Sequence, residues 1–533
     1  MHDTILRRIE NWAAFAAVFF LVLFSVLEIV ARTFFKTGVP GSSDYVQHLV
    51  IWITFLGGMI TSREDRHLSL SIGIEHFSPR WKSFIRTLNA FISTTIAFAL
   101  AGSSLSFILL AFSPEKTVGI IPIRVATVIL PLGYCVMGVR FFLDKKLSAR
   151  GRLFSAFGIL AGFLFSLGSL LNLVMFLKPD YPSLCDTLVA LYYRAASVVV
   201  WPAFIILVAS VFLGLPLFIG LGGIAYILLA ASGASLEVIP NEAYTMLTGN
   251  SIAAIPLFTI AGFVLSESKA GERLVGLFRN LFGFLPGGLA VVSVLVCAFF
   301  TTFTGASGVT ILALGGLLYF ILTDKHAYEE HYATGLLTAS GSIGLLFPPS
   351  LPVILYGVVA GVSIKDMFLG GIIPGIIMVV ALSLSGVYSA VKFNIPRSPF
   401  SLKATIGSLK SSVWEVLLPV IILVLYFTGI ATLVETGAVA VLYIVVVEVF
   451  IHHDKRLKDL PDMVLKSIPI IGGVLVILAV ARGLSYYIID MELPMRLTEW
   501  VRSVISSRFV FLLLLNIVLL ITGCLMDIYS AIM

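Results

Sequence analysis

Long apolar runs alternate with short polar clusters along most of the chain. Several runs contain about 20 residues or more, the length that an α-helix needs to cross the hydrocarbon core of a bilayer. Strands of a membrane barrel are shorter and alternate apolar with polar residues, a pattern that these runs lack. We therefore predict an all-α polytopic membrane protein, with the lipid bilayer as its environment.

Four of the runs fall within residues 1–150, which we interpret as a four-helix membrane region. Their predicted bounds are Trp12–Phe35, Tyr45–Thr61, Phe84–Phe112 and Ile121–Leu143. A fifth run, Leu153–Leu177, is predicted to be a transmembrane helix that spans the connection at residues 151–182. This extra crossing reverses the orientation of the remainder, residues 183–533, as a fusion of two polytopic proteins would require.

Basic residues cluster on alternate connections between these first runs. Arg7 and Arg8 precede the first run, and Lys145 and Lys146 follow the fourth, whereas Lys36 is the only basic residue between the first and second. Because cytoplasmic loops are rich in Lys and Arg, this distribution predicts a multi-pass protein with a cytoplasmic N-terminus.

The remainder of the chain carries apolar runs whose pattern begins again partway along. These runs are Val198–Ala231, Ile252–Leu265, Ile372–Val391, Val413–Phe450, Ile468–Ala481 and Phe509–Met526. The segment from Ser251 resembles the segment from Ser467, and "TGAS" at Thr304 resembles "TGCL" at Thr522, with separations of 216 and 218 residues. We interpret these matches as an internal repeat, and inverted repeats that meet at a substrate site are a common transporter plan.

The segment "TFTGASGVTILALGG" places small residues in the middle of an apolar run. Non-helical backbone at membrane depth survives only where it is buried or lines a polar cavity. Helix ends that meet at such a break present N–H groups and carbonyl oxygens to anions and cations. The candidate binding residues here are Thr304, Gly305, Ala306, Ser307, Gly308 and Thr310. The alternatives are close helix packing or a surface turn between two full spans.

A second candidate break is "FPPSLP" at residues 347–352. Pro348 and Pro349 remove two backbone donors and stop the helix, which exposes carbonyl oxygens in the preceding turn. Ser350 adds a hydroxyl group, so we predict an unwound segment that coordinates an ion. A simple proline kink is the alternative.

The repeat predicts a second tip at Gly523, followed four residues later by Asp527. The proline break of the second half would fall near position 565, whereas the printed sequence ends at Met533. We therefore expect the second repeat to be incomplete and the sequence to be C-terminally truncated.

Composition agrees with the membrane assignment, because 59% of residues are hydrophobic and 12% are charged, against about 25% charged in soluble domains. The net charge of +6 comes from short basic clusters between runs, which we interpret as topology signals and not as a nucleic-acid surface. The four cysteines have no paired spacing and are expected to be free thiols.

A few ionisable residues lie in or near the later apolar runs. The candidates are Glu435, Glu448, Arg482 and Asp527. A charge in lipid indicates function unless the side chain reaches the interface. His452 and His453 are expected in a solvated loop instead of a metal site. No nucleophile or phosphate-binding motif is present, so we do not expect an enzyme.

Four segments resemble successive signatures of one family, the membrane component of tripartite ATP-independent periplasmic (TRAP) transporters. They are "IPLFTIAGFVLSESKAGERL", "LPGGLAVVSVLVCAFFTTFTGASGVT", "GLLFPPSLPVILYGVVAGVSIKDMFLGGIIPGI" and "GIATLVETGAVAVLY". These resemble the large permease subunit. The N-terminal region resembles the small subunit through "YVQHLVIWITFLGGMITSREDRHLSL" and "VGIIPIRVATVILPLGYCVMGVRFF". The resemblance therefore implies fused small and large subunits in a bacterial inner membrane.

The resemblance implies Na⁺-driven uptake of a small organic acid that a periplasmic substrate-binding protein delivers. It also implies an elevator-type transporter with re-entrant helical hairpins. No cofactor is expected. In such a protein, Na⁺ is the coupling ion and would lie near Gly305, Ser307, Pro348 and Ser350. The family's serine-rich tip has alanine at position 306 here, so backbone carbonyls would supply more of the ligands.

Two other functions fit the apolar pattern. A stand-alone Na⁺/carboxylate symporter of similar architecture would need no binding protein. A membrane scaffold or membrane enzyme would show no dependence on an ion gradient, and a membrane enzyme would carry a polar catalytic cluster.

Overall fold

The computed structural model describes residues 2–70, 77–177, 182–323, 328–395, 397, 399–525 and 528–532. The N-terminal part contains α1 (His2–Val30), α2 (Ser42–Glu64), α3 (Pro79–Ala111), α4 (Ile123–Thr127), α5 (Ile129–Phe142), α6 (Ala149–Phe165), α7 (Leu167–Leu177) and α8 (Pro182–Phe212). A short antiparallel pair, β1 (Thr117–Val118) and β2 (Ile121–Pro122), precedes α4.

The middle of the chain is also helical. It contains α9 (Leu217–Ser232), α10 (Val238–Leu247), α11 (Ala254–Ser266), α12 (Ala270–Phe282), α13 (Gly288–Thr304), α14 (Ser307–Thr323), α15 (Glu330–Ser340) and α16 (Leu351–Ala360). The last part contains α17 (Ile364–Lys392), α18 (Leu402–Phe427), α19 (Leu433–Val445), α20 (Leu460–Asp490), α21 (Leu493–Val504), α22 (Arg508–Leu525) and α23 (Ile528–Ile532).

Within the described residues, nine helices are long and apolar enough to cross a membrane. Two further pairs, α6 with α7 and α15 with α16, pass the same test together but are bent at a short break. Many apolar side chains on these helices are exposed, as helices that face lipid require. The prediction of an all-α polytopic membrane protein is confirmed.

The N-terminal region and the remainder share one hydrophobic core, which includes Leu21, Phe55, Tyr226 and Leu475. One close approach between the two regions joins α2 to α20. A Cβ atom on Gly57 would lie 2.6 Å from the Cα of Gly472, so the two backbones touch. Small residues permit such contact between membrane helices, and α2 therefore supports α20 directly.

The predicted crossing at Leu153–Leu177 is bent. Two helices, α6 and α7, replace it, and their axes differ by 50° at Ser166. The Ser166 hydroxyl donates to the Phe163 carbonyl at 3.1 Å and packs against Gly102 of α3. This local hydrogen bond competes with the helical pattern, a tendency of serine that the apolar periodicity does not reveal.

The predicted run Val413–Phe450 also divides into two helices, α18 and α19. Gly429, between them, has a φ of 78°, which favours glycine and ends α18. Thr432 then caps α19 in a capping box with Glu435. Glu435 also contacts Arg32 at 2.6 Å, so this carboxylate, a functional candidate from the sequence, is a helix-capping and ion-pairing residue.

Candidate functional site: a hairpin tip beside a charged cavity

Helices α13 and α14 form a hairpin whose tip contains only Gly305 and Ala306. Gly305 has a φ of 67°, a left-handed conformation that glycine adopts without strain. Its N–H donates to the Thr301 carbonyl at 2.9 Å and closes the last turn of α13. The break predicted at this tip is present because one glycine ends α13 and α14 begins again at Ser307.

Three buried threonines connect the two arms of the hairpin. The Thr310 Oγ1 of α14 lies 2.9 Å from the Oγ1 atoms of both Thr301 and Thr304 of α13. The Thr301 hydroxyl also donates to the Gly341 carbonyl, at 2.8 Å. Thr304 and Thr310, which the sequence suggests as ion ligands, therefore fix the hairpin through these contacts, and each oxygen retains acceptor capacity.

The second predicted break is present after α15. Helices α15 and α16 are separated by a 3₁₀ turn at Ile343–Leu346 and by Pro348 and Pro349. The chain bends by 49° at this break. The fully buried Ser350 donates its hydroxyl hydrogen to the Leu345 carbonyl. Ser350 therefore forms a hydrogen bond with one of the carbonyl groups that the unwound turn exposes.

The two breaks meet directly. A Cβ atom on Gly305 would lie 2.4 Å from the Leu351 Cδ1 at the start of α16. On the other side, the Tyr529 hydroxyl of α23 donates to the Gly305 carbonyl at 2.6 Å. The hairpin tip is thus held between α16 and α23, and no larger side chain than hydrogen fits at position 305.

A cavity of about 810 Å³ opens beside this tip. Ala306 and Val309 line it from the hairpin, Tyr529 from α23, and Pro469 and Gly473 from α20. A volume of roughly 300–1,000 Å³ is typical of small-molecule sites. Helix α20, which forms one wall of the cavity, is also the helix that α2 contacts through Gly57 and Gly472.

Three charged side chains line the same cavity: Arg66, Lys466 and Glu267. Lys466 contacts Glu267 at 2.9 Å, and Arg66 contacts Glu64 at 3.5 Å. The Arg66 and Lys466 side chains are 69% and 56% exposed, so they mark the solvent end of the cavity. Two cations and one anion are thus among the residues that line the cavity, whereas Glu64, the partner of Arg66, does not line it.

Some of the predicted site residues line the cavity, and others lie behind the hairpin tip. Ala306 lines the cavity and Gly305 presents its carbonyl to Tyr529. Ser307, half-buried, and Gly308, exposed, are not among the described residues that line the cavity. Pro349 and Ser350 are buried and Pro348 is half-buried, behind the tip.

The second predicted tip, at Gly523 and Asp527, lies only partly within the described residues. Gly523 lies within α22, which continues to Leu525 before α23 begins at Ile528. Gly523 is exposed, and no atom approaches the position of its missing Cβ within 4 Å. A single glycine costs a helix about 1 kcal/mol, which an apolar helix of 18 residues tolerates. Asp527 lies outside the described residues.

Four residues that line the cavity, Arg66, Lys466, Pro469 and Tyr529, were not predicted from the sequence. Arg66 and Lys466 resemble ordinary topology charges, and they are separated by 400 positions. Pro469 lies in the apolar run Ile468–Ala481, and Tyr529 follows the last run, Phe509–Met526. Only Pro469 could have been recognised. It lies within an apolar run and close to the glycines of the "SIPIIGG" segment, a combination that indicates an irregular helix beside a cavity.

The other ionisable candidates form ion pairs. Arg482 contacts Glu242 at 3.3 Å. Glu448 contacts Arg273 at 3.0 Å, and His452 faces Glu415 at 3.4 Å instead of lying in a solvated loop. In the part of the chain that the structure describes, no group of His, Cys, Asp and Glu side chains could hold a metal ion. Three cysteines, Cys135, Cys297 and Cys524, are free thiols there.

Comparison with known proteins identifies the family. The profile of the tripartite ATP-independent periplasmic transporter DctM component matches residues 204–533, and that of the DctQ component matches residues 21–151. The chain belongs to the tripartite ATP-independent periplasmic (TRAP) transporter family. The resemblance to fused small and large TRAP permease subunits is therefore confirmed.

Individual TRAP relatives cover most of the chain. The isethionate TRAP transporter permease protein DctMQ of Oleidesulfovibrio alaskensis is 25% identical over 529 residues, which cover 98% of this chain and 80% of that protein. The sialic acid TRAP transporter permease protein SiaT of Haemophilus influenzae is 23% identical over 98% of this chain and 84% of its own length. The C4-dicarboxylate TRAP transporter large permease protein DctM of Rhodobacter capsulatus is 27% identical over 60% of this chain and 77% of its own length.

Proposed function

We propose that this chain takes up a small organic anion, supplied by a periplasmic substrate-binding protein, together with Na⁺ across a bacterial inner membrane. The observation that carries the proposal is the cavity beside the hairpin tip, which has two cations and one anion in its lining. The names of the three relatives above refer to isethionate, sialic acid and C4-dicarboxylates. All three are organic anions, which agrees with the charge of the cavity.

The apolar wall and the charged end of the cavity have separate roles in this proposal. Val309, Pro469 and Gly473 surround the carbon skeleton of the substrate and exclude water, which strengthens electrostatic interactions inside. Arg66 and Lys466 raise the local concentration of anions at the solvent end. Selection among organic anions then rests on both the binding protein and the shape of the cavity.

Na⁺ binds, in this proposal, behind the tip, where the two breaks bring oxygen atoms together. Hard cations prefer carbonyl and hydroxyl oxygens, and unwound helices in transporters supply such groups. The Gly305 carbonyl and the turn before Pro348 and Pro349 provide carbonyls, and Ser307 and Ser350 provide hydroxyls. A bound Na⁺ would lower the cost of bringing the substrate's negative charge to the tip.

The orientation of the cavity follows from the basic residues around it. Arg66 belongs to the basic connection after α2, which the positive-inside rule places in the cytoplasm together with the N-terminus. The cavity then opens to the cytoplasm and represents the state that releases substrate. Alternating access would follow from an elevator-like movement of the hairpin against α2 and α20.

Replacing the two cations tests the role of the cavity. Each substitution, Arg66→Gln or Lys466→Gln, removes one partly exposed charge and is expected to raise the KM for the transported anion about three- to fivefold. The double variant should show about a tenfold increase with little change in kcat. The measurement is uptake into proteoliposomes of whichever labelled anion, succinate, isethionate or sialic acid, the unmodified protein transports.

Lys410→Gln is the matched control, because Lys410 is an exposed lysine of α18 that does not line the cavity. It should retain the KM of the unmodified protein. An unchanged KM in the double variant would contradict the assignment of this cavity to the transported anion.

A further inference from the structure

The wall of the cavity away from its solvent end is apolar. Phe263 of α11, Val309 of α14, and Pro469 and Val474 of α20 line it from three helices. Pro469 and Val474 are buried, and Phe263 and Val309 are half-buried, whereas the two basic side chains lie at the solvent end. A substrate inside the cavity therefore meets carbon atoms along this wall.

Hydroxyl groups are scarce in the same lining. Among the described residues that line the cavity, only Ser266 and Tyr529 carry a hydroxyl group, and none carries a side-chain amide. The Ser266 hydroxyl donates to the Phe263 carbonyl at 2.9 Å, and the Tyr529 hydroxyl donates to the Gly305 carbonyl at 2.6 Å. Both hydroxyl hydrogens are thus engaged within the protein, and neither is directed at a substrate.

Gly473 shows that the α20 side of the cavity has free space beside this wall. Gly473 is buried and lines the cavity, yet no atom lies within 4 Å of the position of its missing Cβ. The preceding residue, Gly472, differs, because a Cβ atom there would meet the backbone of Gly57. The two adjacent glycines therefore face different neighbours, and the space beside Gly473 is available to a substrate.

We propose that the anion carried in this cavity has a hydrocarbon skeleton with few or no hydroxyl groups. This inference rests on the proposed function, because it assigns a substrate class to the same cavity. A hydroxyl group that moves from water to an apolar wall loses its hydrogen bonds, and one such loss lowers affinity about tenfold. A hydrocarbon skeleton loses none and is stabilised by burial. The class includes short aliphatic carboxylates and sulfonates and excludes polyhydroxylated sugar acids.

Hexanoate and gluconate test this assignment. Both are monocarboxylates with carbon chains of equal length, but every carbon of gluconate outside the carboxylate carries a hydroxyl group. The melting temperature of the full-length protein, in detergent and Na⁺, is measured at increasing concentrations of each anion. We expect the half-saturating concentration to be at least about tenfold lower for hexanoate. Equal values, or a lower value for gluconate, would overturn the proposed class.

Two substitutions at position 473 test whether the skeleton contacts this wall. Gly473→Ser adds a hydroxyl group, and Gly473→Ala adds the same Cβ without it. Because no atom lies within 4 Å of this Cβ, both variants should fold. The preference for hexanoate should fall to about threefold in Gly473→Ser, since the serine oxygen accepts a hydrogen bond from gluconate, and should stay larger in Gly473→Ala. Equal preferences in the two variants would contradict contact with this wall.

The double variant Arg66→Gln with Lys466→Gln distinguishes failure of this inference from failure of the proposed function. If it weakens the binding of both anions about tenfold, the cavity binds anions, and the preference between hexanoate and gluconate then decides the substrate class. If neither anion stabilises the unmodified protein, or if the double variant leaves both half-saturating concentrations unchanged, the cavity is not the anion site. Both proposals would then be wrong.

Discussion

Gly305→Ala is expected to lower anion uptake strongly. Alanine in a left-handed conformation costs about 1–3 kcal/mol, and the added Cβ would lie 2.4 Å from the Leu351 Cδ1. The tip must then move away from α16 or from Tyr529, which disturbs the carbonyl that we assign to Na⁺. The expected loss in the rate of uptake is at least about tenfold. Uptake into proteoliposomes, normalised to folded protein, measures it.

Gly308→Ala is the matched control for this substitution. Gly308 is three residues from Gly305, lies in α14, and has no atom within 4 Å of the position of its missing Cβ. Alanine favours the helix by about 1 kcal/mol over glycine, so folding should not suffer. Equal uptake by the two variants would show that the tip tolerates a side chain at position 305. That result would contradict the close contact expected between this side chain and Leu351.

Arg273→Met is expected to cause the largest loss of stability. Methionine matches much of the apolar length of arginine but leaves three carboxyl groups, two of them fully buried, without their shared cation. Removing one partner of a buried ion pair typically costs about 3–5 kcal/mol. The measurement is the melting temperature and the yield of monodisperse protein after size-exclusion chromatography.

Arg279→Met provides the comparison on the same helix. Arg279 is exposed in the last turn of α12, where its charge contributes about 0.5 kcal/mol through the helix dipole. The melting temperature of Arg279→Met should therefore lie close to that of the unmodified protein. If both variants melt at the same temperature, Arg273 does not hold Glu415, Glu448 and Asp454 together.

The local breaks in the helices could be predicted from the sequence because their causes are local. Gly305 ends α13 through its own backbone conformation, and Pro348 and Pro349 stop a helix because of their ring structure. These residues act within a few positions of themselves, so composition and spacing were sufficient. A glycine does not by itself end a helix: Gly523 lies within α22, and no atom lies within 4 Å of the position of its missing Cβ.

The composition of the site depends on contacts between distant segments and could not be predicted in the same way. Arg66 and Lys466 line one cavity from positions 400 residues apart, and Tyr529 reaches Gly305 across 224 residues. Arg273 gathers carboxyl groups from two other elements. Each of these charged or polar residues has an ordinary local sequence, and only the packing of the helices gives it a role.

Uptake driven by a Na⁺ gradient, measured with and without the periplasmic substrate-binding protein, tests the central claim most directly. Proteoliposomes containing the full-length protein receive a labelled organic anion with an inward Na⁺ gradient, with equal Na⁺ on both sides, or with choline. We predict accumulation only when the inward Na⁺ gradient and the binding protein are both present. Equal accumulation without the binding protein would indicate a stand-alone symporter, and accumulation that ignores the Na⁺ gradient would contradict Na⁺ coupling.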